Sequence, residues 1–458
     1  MHGTHGSRTA ALGSSYHLGP LDHVSAEPIF LAVCFVYVSE LSLDRIRIAL
    51  CRLLDVYPHL SGRLVTDSLG NRVIARLGSG ALLQSTSSVA RLSDARDDAG
   101  RIDITRLPGG GSVLIPSHDR VGQDGGPLLS IKMTTFASNS GTVLGIRAPH
   151  SICDATGFFT IVNCLARLYD KTNLSPDWHY DQLSSVRPYF PSIETNYNPV
   201  SQYGHTKETS TADAAVATRS IEGRFLHFNN DYLRKVKAAA TPAEDYTTTY
   251  RALTAHLWQI SHRAADYVPL PVTGFPKIDH QGLTIAVNLR TRLPSLPSDT
   301  VFNAVLPCST TLSSEALKAR GLRAIAWEIN TMLRQNLFVQ PTEMESTIQW
   351  IHKQENKSQI DFRWDGHFVS TQWTCDMYTT STLDGVRPDL VCLPFMPGMG
   401  DQLLFVLPPP MVRSRRAGAE IVEQGEGLMV LLCLDGEKWK VIDDLDLLSD
   451  ALIDCDQM

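Results

Sequence analysis

Apolar residues run almost without interruption through "PIFLAVCFVYV". The run is rich in Ile, Val and Phe and falls far short of the roughly 20 apolar residues a membrane span needs, so it reads as a buried strand. The spacing then lengthens. In "LSLDRIRIALCRLLDVYPHLSGRL", Leu43, Ile46, Ile48, Leu50, Leu53 and Leu54 fall mostly on one side with charges opposite, which predicts a helix. Short strands are expected at "NRVIARL", "GSVLIPS", "GPLLSIKMTTFA" and "GTVLGIRAPH", with Gly at their ends. "GFFTIVNCLARLYDK" returns to helical spacing through Phe158, Ile161, Cys164, Leu165 and Leu168.

From about Leu174 to Ser220 the periodicity dissolves into Pro, Ser, Asn, Tyr and Asp, the texture of a crossover linker. The pattern restarts with "RFLHFNNDYLRKVKAAA" as strand then helix, "TTTYRALTAHLWQISHRAAD" as a helix, "GLTIAVNLR" as a strand and "SSEALKARGLRAIAWEINTMLRQ" as one more helix. Strands at "FVSTQWTCDMY" and "QLLFVLPPP" lead to a strand and closing helix in "GLMVLLCLDGEKWKVIDDLDLLSDAL". Periodicity alone therefore gives an α/β protein in two similar halves. The expected division is a flexible tail (1–17), a first domain (18–185), a linker (186–220) and a second domain (221–458), with a segment near 365–400 able to pack on the first domain.

Composition narrows the picture. At 458 residues the chain is too long for one ordinary core, and 43% hydrophobic against 19% charged residues suits a folded chain rather than a disordered one. A formal charge of -7 with no basic block argues against nucleic acid as a partner. The densest basic run, "VRSRRAGAE" with Arg413, Arg415 and Arg416, reads as a solvated loop. Nine cysteines, several inside apolar runs, show no zinc spacing, so free thiols, no metal and a cytoplasmic location are expected. The opening "MHGTHGSRTAALGSS" lacks the pattern of a signal peptide. Nothing in the pattern suggests an oligomer, so a monomer is expected.

The chemistry centres on "HSICD", where His150 leaves a strand and Asp154 precedes a helix. Such junctions bring side chains to the mouth of a cleft. By itself the spacing allows two readings: a base near neutrality, or a packed histidine beside an N-cap aspartate.

Four stretches resemble the BAHD acyltransferases in that family's order. "HSICD" resembles the H-x-x-x-D signature, and "TYRALTAHLW" resembles S-x-[FY]-x-A-L-T-A-x-x-W. "AVNLRTRLPSLPSDTVFNAV" resembles a strand with V-[ND]-x-R, a Pro-rich turn and a G-N pair, and "STQWTCDMY" resembles T-S-W-x-x-x-x-[FY]. The resemblance covers roughly Leu18 to the C-terminus.

It implies a chloramphenicol-acetyltransferase-like fold, two similar mixed-sheet domains joined by a crossover loop with a solvent channel between them. It implies acyl transfer from acyl-CoA, taken as acetyl-CoA, to a hydroxyl of a hydrophobic secondary metabolite such as a terpenoid or alkaloid, in a fungal member. CoA enters as co-substrate, with no permanently bound cofactor. The family's roles fall here on His150 as general base, Trp373 or Thr371 as donor to the oxyanion, and Thr248 and Thr249 as hydroxyls near the CoA phosphates. Asp154 would pair with Arg290 and brace the turn. Cys153 and His256 are expected to be packing residues.

Two departures stand out. The family's D-F-G-W-G is replaced by "TSTLDGVRPDLV", where only Gly385, Arg387 and Pro388 match, while "DFRWDG" lies on the wrong side of Trp373. Asn303 also lacks the Gly expected before it. Rival readings are a carrier-protein-dependent condensation catalyst, opposed by Pro149 where a second His is usual, and a catalytically silent binding protein of the same fold.

Overall fold

A computed structural model describes residues 2–3, 15–24, 29–117, 126–170, 189–194, 196, 220–242, 245–268, 280–335, 341–360, 366–373, 376–416 and 419–449. Most of the expected tail and linker, and most of "DFRWDG", lie outside the described residues.

The apolar run becomes strand β1 (Phe30–Tyr37), buried along nearly its whole length. Helix α1 (Leu43–Val56) follows, capped by the Ser42 side chain, which accepts from the Arg45 N–H. Ile46, Leu50, Leu53 and Leu54 are buried, whereas Leu43 and Ile48 face outward. Strands β2 (Leu82–Ser88), β3 (Ser130–Phe136) and β4 (Thr142–Pro149) come next, and β4 runs through a short 3-10 turn into helix α2 (Ala155–Tyr169). The strand expected at "GSVLIPS" is absent. Its residues through Leu114 belong instead to a 3-10 segment (Pro108–Leu114) wound through left-handed Gly109, Gly110 and Gly111. That segment crosses the sheet face, and a Cβ on Gly145 would stand only 2.1 Å from the Leu114 carbonyl oxygen, so a side chain there would push it off.

The second half begins with β5 (Ile221–Phe228), α3 (Asn230–Ala240) and α4 (Thr249–Ala265), then β6 (His280–Asn288) and β7 (Val305–Ser313). The helix expected as one piece is two, α5 (Ser314–Ala319) and α6 (Leu322–Gln335), because Arg320 turns extended ahead of Gly321. Helix α7 (Pro341–Lys353) was not anticipated, although Met344, Ile348 and Ile351 repeat at helical spacing and are buried. Strand β8 (Phe368–Gln372), the single turn α8 (Met377–Thr380), β9 (Leu390–Cys392), β10 (Leu403–Leu407), β11 (Leu428–Asp435) and α9 (Gly436–Asp444) complete the order.

Two six-stranded sheets organise the chain. The first runs His2–Gly3, β2, β3, β4, β1, β9; the second runs β7, β6, β8, β10, β11, β5. Although β9 comes from the second half of the sequence, it pairs antiparallel with β1 of the first sheet, Cys392 opposite Cys34. The basic run is not a loop. It forms one arm of a hairpin, Met411–Arg416 against Ala419–Gln424, and Arg413 joins Arg96 in pairing with the fully buried Asp389, which tethers the β9 segment. A buried carboxylate needs such cations.

The seven cysteines among the described residues are all free. Among those residues no helix is long and apolar enough to cross a membrane, and no group of three or more His, Cys, Asp or Glu could hold a metal ion.

Candidate active site

Strand β4 ends at Pro149, and His150–Ile152 form one 3-10 turn before α2. The backbone N–H of His150 donates to the Ile29 carbonyl at 2.9 Å, which fixes the turn against the start of β1. Burial pushes the imidazole below its usual range; the Asp154 charge, its own backbone carbonyl and the Asn303 side chain oppose the shift. His150 is therefore a neutral imidazole at pH 7, able to accept a proton.

Asp154 closes the turn as the N-cap of α2. Its Oδ1 accepts from the Gly157 N–H at 2.9 Å, and its Oδ2 accepts from Arg290 Nη1 and from the Ala304 N–H, both at 2.8 Å. Arg290 in turn donates through Nη2 and Nε to the Thr300 carbonyl and through Nη2 to the Phe302 carbonyl. Both side chains are 3% exposed, so this ion pair lives in a poorly solvated setting where every lone pair and proton matters. The carboxylate is fully engaged by these donors. Gly157 lets the segment come close, since a Cβ there would stand 1.9 Å from the Val301 carbonyl oxygen. Two distant parts of the chain, 150–157 and 288–304, thus meet at His150.

The other expected residues lie in other parts of the fold or serve packing. Trp373 is buried in the first half's core, edge-on to Phe159 with ring centroids 5.8 Å apart and to Phe405 at 6.4 Å, and its backbone N–H donates to the Val406 carbonyl. Thr371 sits two residues earlier on β8, partly exposed, and no hydrogen bond joins Thr371 or Trp373 to His150. Thr248 is the N-cap of α4, accepting from the Arg251 N–H at 3.2 Å, and Thr249 begins the helix. Beside them Arg251 is half-buried, its guanidinium pushed down by burial and by its neighbours Arg334 and Arg292. His256 packs in α4 with its Nε2 2.8 Å from the Tyr232 hydroxyl, and Cys153 is a fully buried thiol pushed well up by burial.

Asp22 also reaches the His150 turn, bonded to Asn303. It belongs to none of the matched motifs. A lone carboxylate between Leu21 and His23, ahead of an apolar strand, is too common to single out.

A family model described as "Transferase family" matches residues 11–441. Putrescine hydroxycinnamoyltransferase 1 of Oryza sativa subsp. japonica is 25% identical over 63% of this chain and 62% of its own length, and Acyltransferase GLAUCE of Arabidopsis thaliana is 23% identical over 61% and 60%. The match thus spans about three fifths of these relatives. Among solved structures, F. graminearum TRI101 complexed with Coenzyme A and Deoxynivalenol superposes with a TM-score of 0.70 at 14% identity, covering 94% of this chain and 97% of that one. Vinorine Synthase superposes at 0.63 with 14% identity, over 97% and 96%. This likeness establishes the fold over nearly the whole chain.

Proposed function

The chain belongs to the Transferase family, the BAHD acyltransferases, and on that premise we propose that it transfers an acyl group, most simply acetyl, from acyl-CoA to a hydroxyl of a hydrophobic secondary metabolite such as a terpenoid or alkaloid. The observation that carries this reading is the neutral, partly exposed His150 at a strand exit, its turn closed by an Asp154 whose own lone pairs are engaged with Arg290 and two backbone N–H groups.

The chemistry follows from that state. His150 accepts the acceptor's hydroxyl proton as its oxygen attacks the thioester carbonyl, and the tetrahedral oxyanion takes a hydrogen bond from Trp373 or Thr371. The carbon–sulfur bond then breaks, and the imidazolium returns its proton to the CoA thiolate. No enzyme nucleophile is needed, and the raised Cys153 thiol is unsuited to be one. For the CoA phosphates, the N-terminus of α4 offers Thr248 and Thr249 with Arg251 and Arg292 beside them, while Arg334 is already paired with Asp245, a neighbourhood of net positive charge that suits an anion. We take the protein to be a cytoplasmic monomer of fungal type.

An amine acceptor is the second reading, favoured by relatives named for putrescine and tryptamine acylation. The test is release of free thiol from acetyl-CoA by the wild type and His150→Ala, with hydroxylated terpenoids and alkaloids, then amines, against no-acceptor controls. Acceptor-dependent release by the wild type alone is expected. Equal rates in both proteins would remove His150 from the reaction, and silence from both would favour a binding protein.

A further inference from the structure

We propose that Asp22, acting through Asn303, is a positioning residue for His150, holding the imidazole's turn and presenting it with the Asn303 amide oxygen. The proposal rests on the reading of His150 as general base.

Asp22 lies in a one-turn 3-10 helix, Pro20–His23, whose residues are all buried. Its Oδ2 accepts from the Gly19 N–H at 2.9 Å, and its Oδ1 accepts from both the backbone N–H and the side-chain Nδ2 of Asn303, each at 2.9 Å. Asn303 is therefore chelated, backbone and side chain held by one oxygen. The remaining Nδ2 proton goes to the His150 carbonyl oxygen at 2.8 Å. With both amide protons engaged, the position of Oδ1 is fixed. That oxygen is buried and has no hydrogen-bond partner of normal geometry, yet the Asn303 side chain raises the proton affinity of His150. It is an acceptor held beside a base that must carry a proton in mid-reaction.

The carboxylate has an unusual setting. Among the described residues no Lys or Arg pairs with Asp22, and Arg72 acts on it only at longer range. Burial pushes its carboxyl up to about 7, against the pull of three N–H donors. Stability alone would be served as well by an apolar residue at such a site, because a buried charge without a cation is costly. The three-part line from Asp22 through Asn303 to His150 gives the carboxylate a purpose: it orients the amide.

Asn303→Ala and Asp22→Asn, each checked for wild-type circular dichroism and melting behaviour, provide the test with acetyl-CoA and the best acceptor from the panel. We expect kcat to fall about 10- to 100-fold with KM for both substrates unchanged, as for a misplaced base. In Asn303→Ala the acid limb of the kcat/KM profile, where His150 becomes protonated, should move to lower pH, since the group that raises its proton affinity is gone. Should Asp22→Asn fail to fold, Asp22→Glu displaces the carboxylate while keeping it and reads the same rate. A folded Asn303→Ala with wild-type kcat and an unmoved acid limb, alongside a dead His150→Ala, would overturn the positioning role alone. Wild-type turnover by His150→Ala would overturn the base assignment and this proposal with it.

Discussion

The turn that carries His150 and the packing around Trp373 are built on opposite principles. In the first, Asp154, Arg290, Asn303 and the carbonyls of Thr300 and Phe302 form a buried knot in which nearly every polar atom has a directed partner. In the second, Trp373 is held by ring contacts with Phe159 and Phe405. Directed bonds between distant segments demand particular letters, because a changed side chain leaves a buried group unpaired. Ring packing demands only shape and volume. This difference appears in the sequence, where "HSICD" and "VNLR" match their patterns letter for letter while the Trp373 stretch carries Gln372 where the pattern has Ser.

The strongest way to break the comparison is to unpair the knot. Asp154→Ala or Arg290→Ala should each cost about 3 to 5 kcal/mol of stability by urea unfolding, since each leaves the other charge buried alone. The double variant should cost clearly less than the sum, because the two losses share one interaction. Additive losses would mean that the pair does not act as a unit.

His59 sharpens the contrast from within the apolar side of the same neighbourhood. It is fully buried against the Phe302 ring, centroids 4.8 Å apart, with no hydrogen-bond partner on either nitrogen, and burial pushes it down to about 3. Folded His59 stays neutral while the unfolded chain takes up a proton below about pH 6.5, so stability must fall as pH falls from that value towards 3. The slope is about 1.4 kcal/mol per pH unit. His59→Phe should therefore lose about 2 kcal/mol less than the wild type between pH 7.5 and pH 5, in urea midpoints at both. Asp22, pushed up to about 7, acts in the opposite sense and stabilises the fold as pH drops through that range.

Trp373→Phe keeps a ring among Phe159 and Phe405 and removes the indole N–H. A stability loss of about 1 to 2 kcal/mol is expected. If the indole donates to the oxyanion, kcat should fall about 100-fold with KM unchanged, and Thr371→Val should then be nearly silent. The reverse ranking would move the role to Thr371.

How much of this was legible follows the same division. Strands β1, β3 and β4 and helices α1, α2 and α4 have uninterrupted periodicity, and the structure has all six. The failures come from tertiary packing. "GSVLIPS" has a strand's letters, but the left-handed glycines before it and the bare face of Gly145 take its first half out of the sheet. The basic run has a loop's letters, but Asp389 draws Arg413 inward from a strand. The matched motifs pointed to His150, Asp154 and Arg290, and the structure pairs the last two at the His150 turn. Asp22 was not recoverable, because its meaning lies in contacts with Asn303, 281 positions away.

Thr248 offers the smallest and most discriminating test, since its hydroxyl has two possible duties. As the cap of α4 it accepts from the Arg251 N–H, and Thr248→Ala should cost about 1 kcal/mol. Asp is an equally good cap, so Thr248→Asp should keep wild-type stability while placing a negative charge beside Arg251 and Arg292. Should CoA phosphates dock there, repulsion would raise the KM for acetyl-CoA about tenfold with kcat untouched, and added salt would narrow the gap. An unchanged KM in a fully stable Thr248→Asp would make the hydroxyl a cap and nothing more, and would move the phosphates away from this helix end.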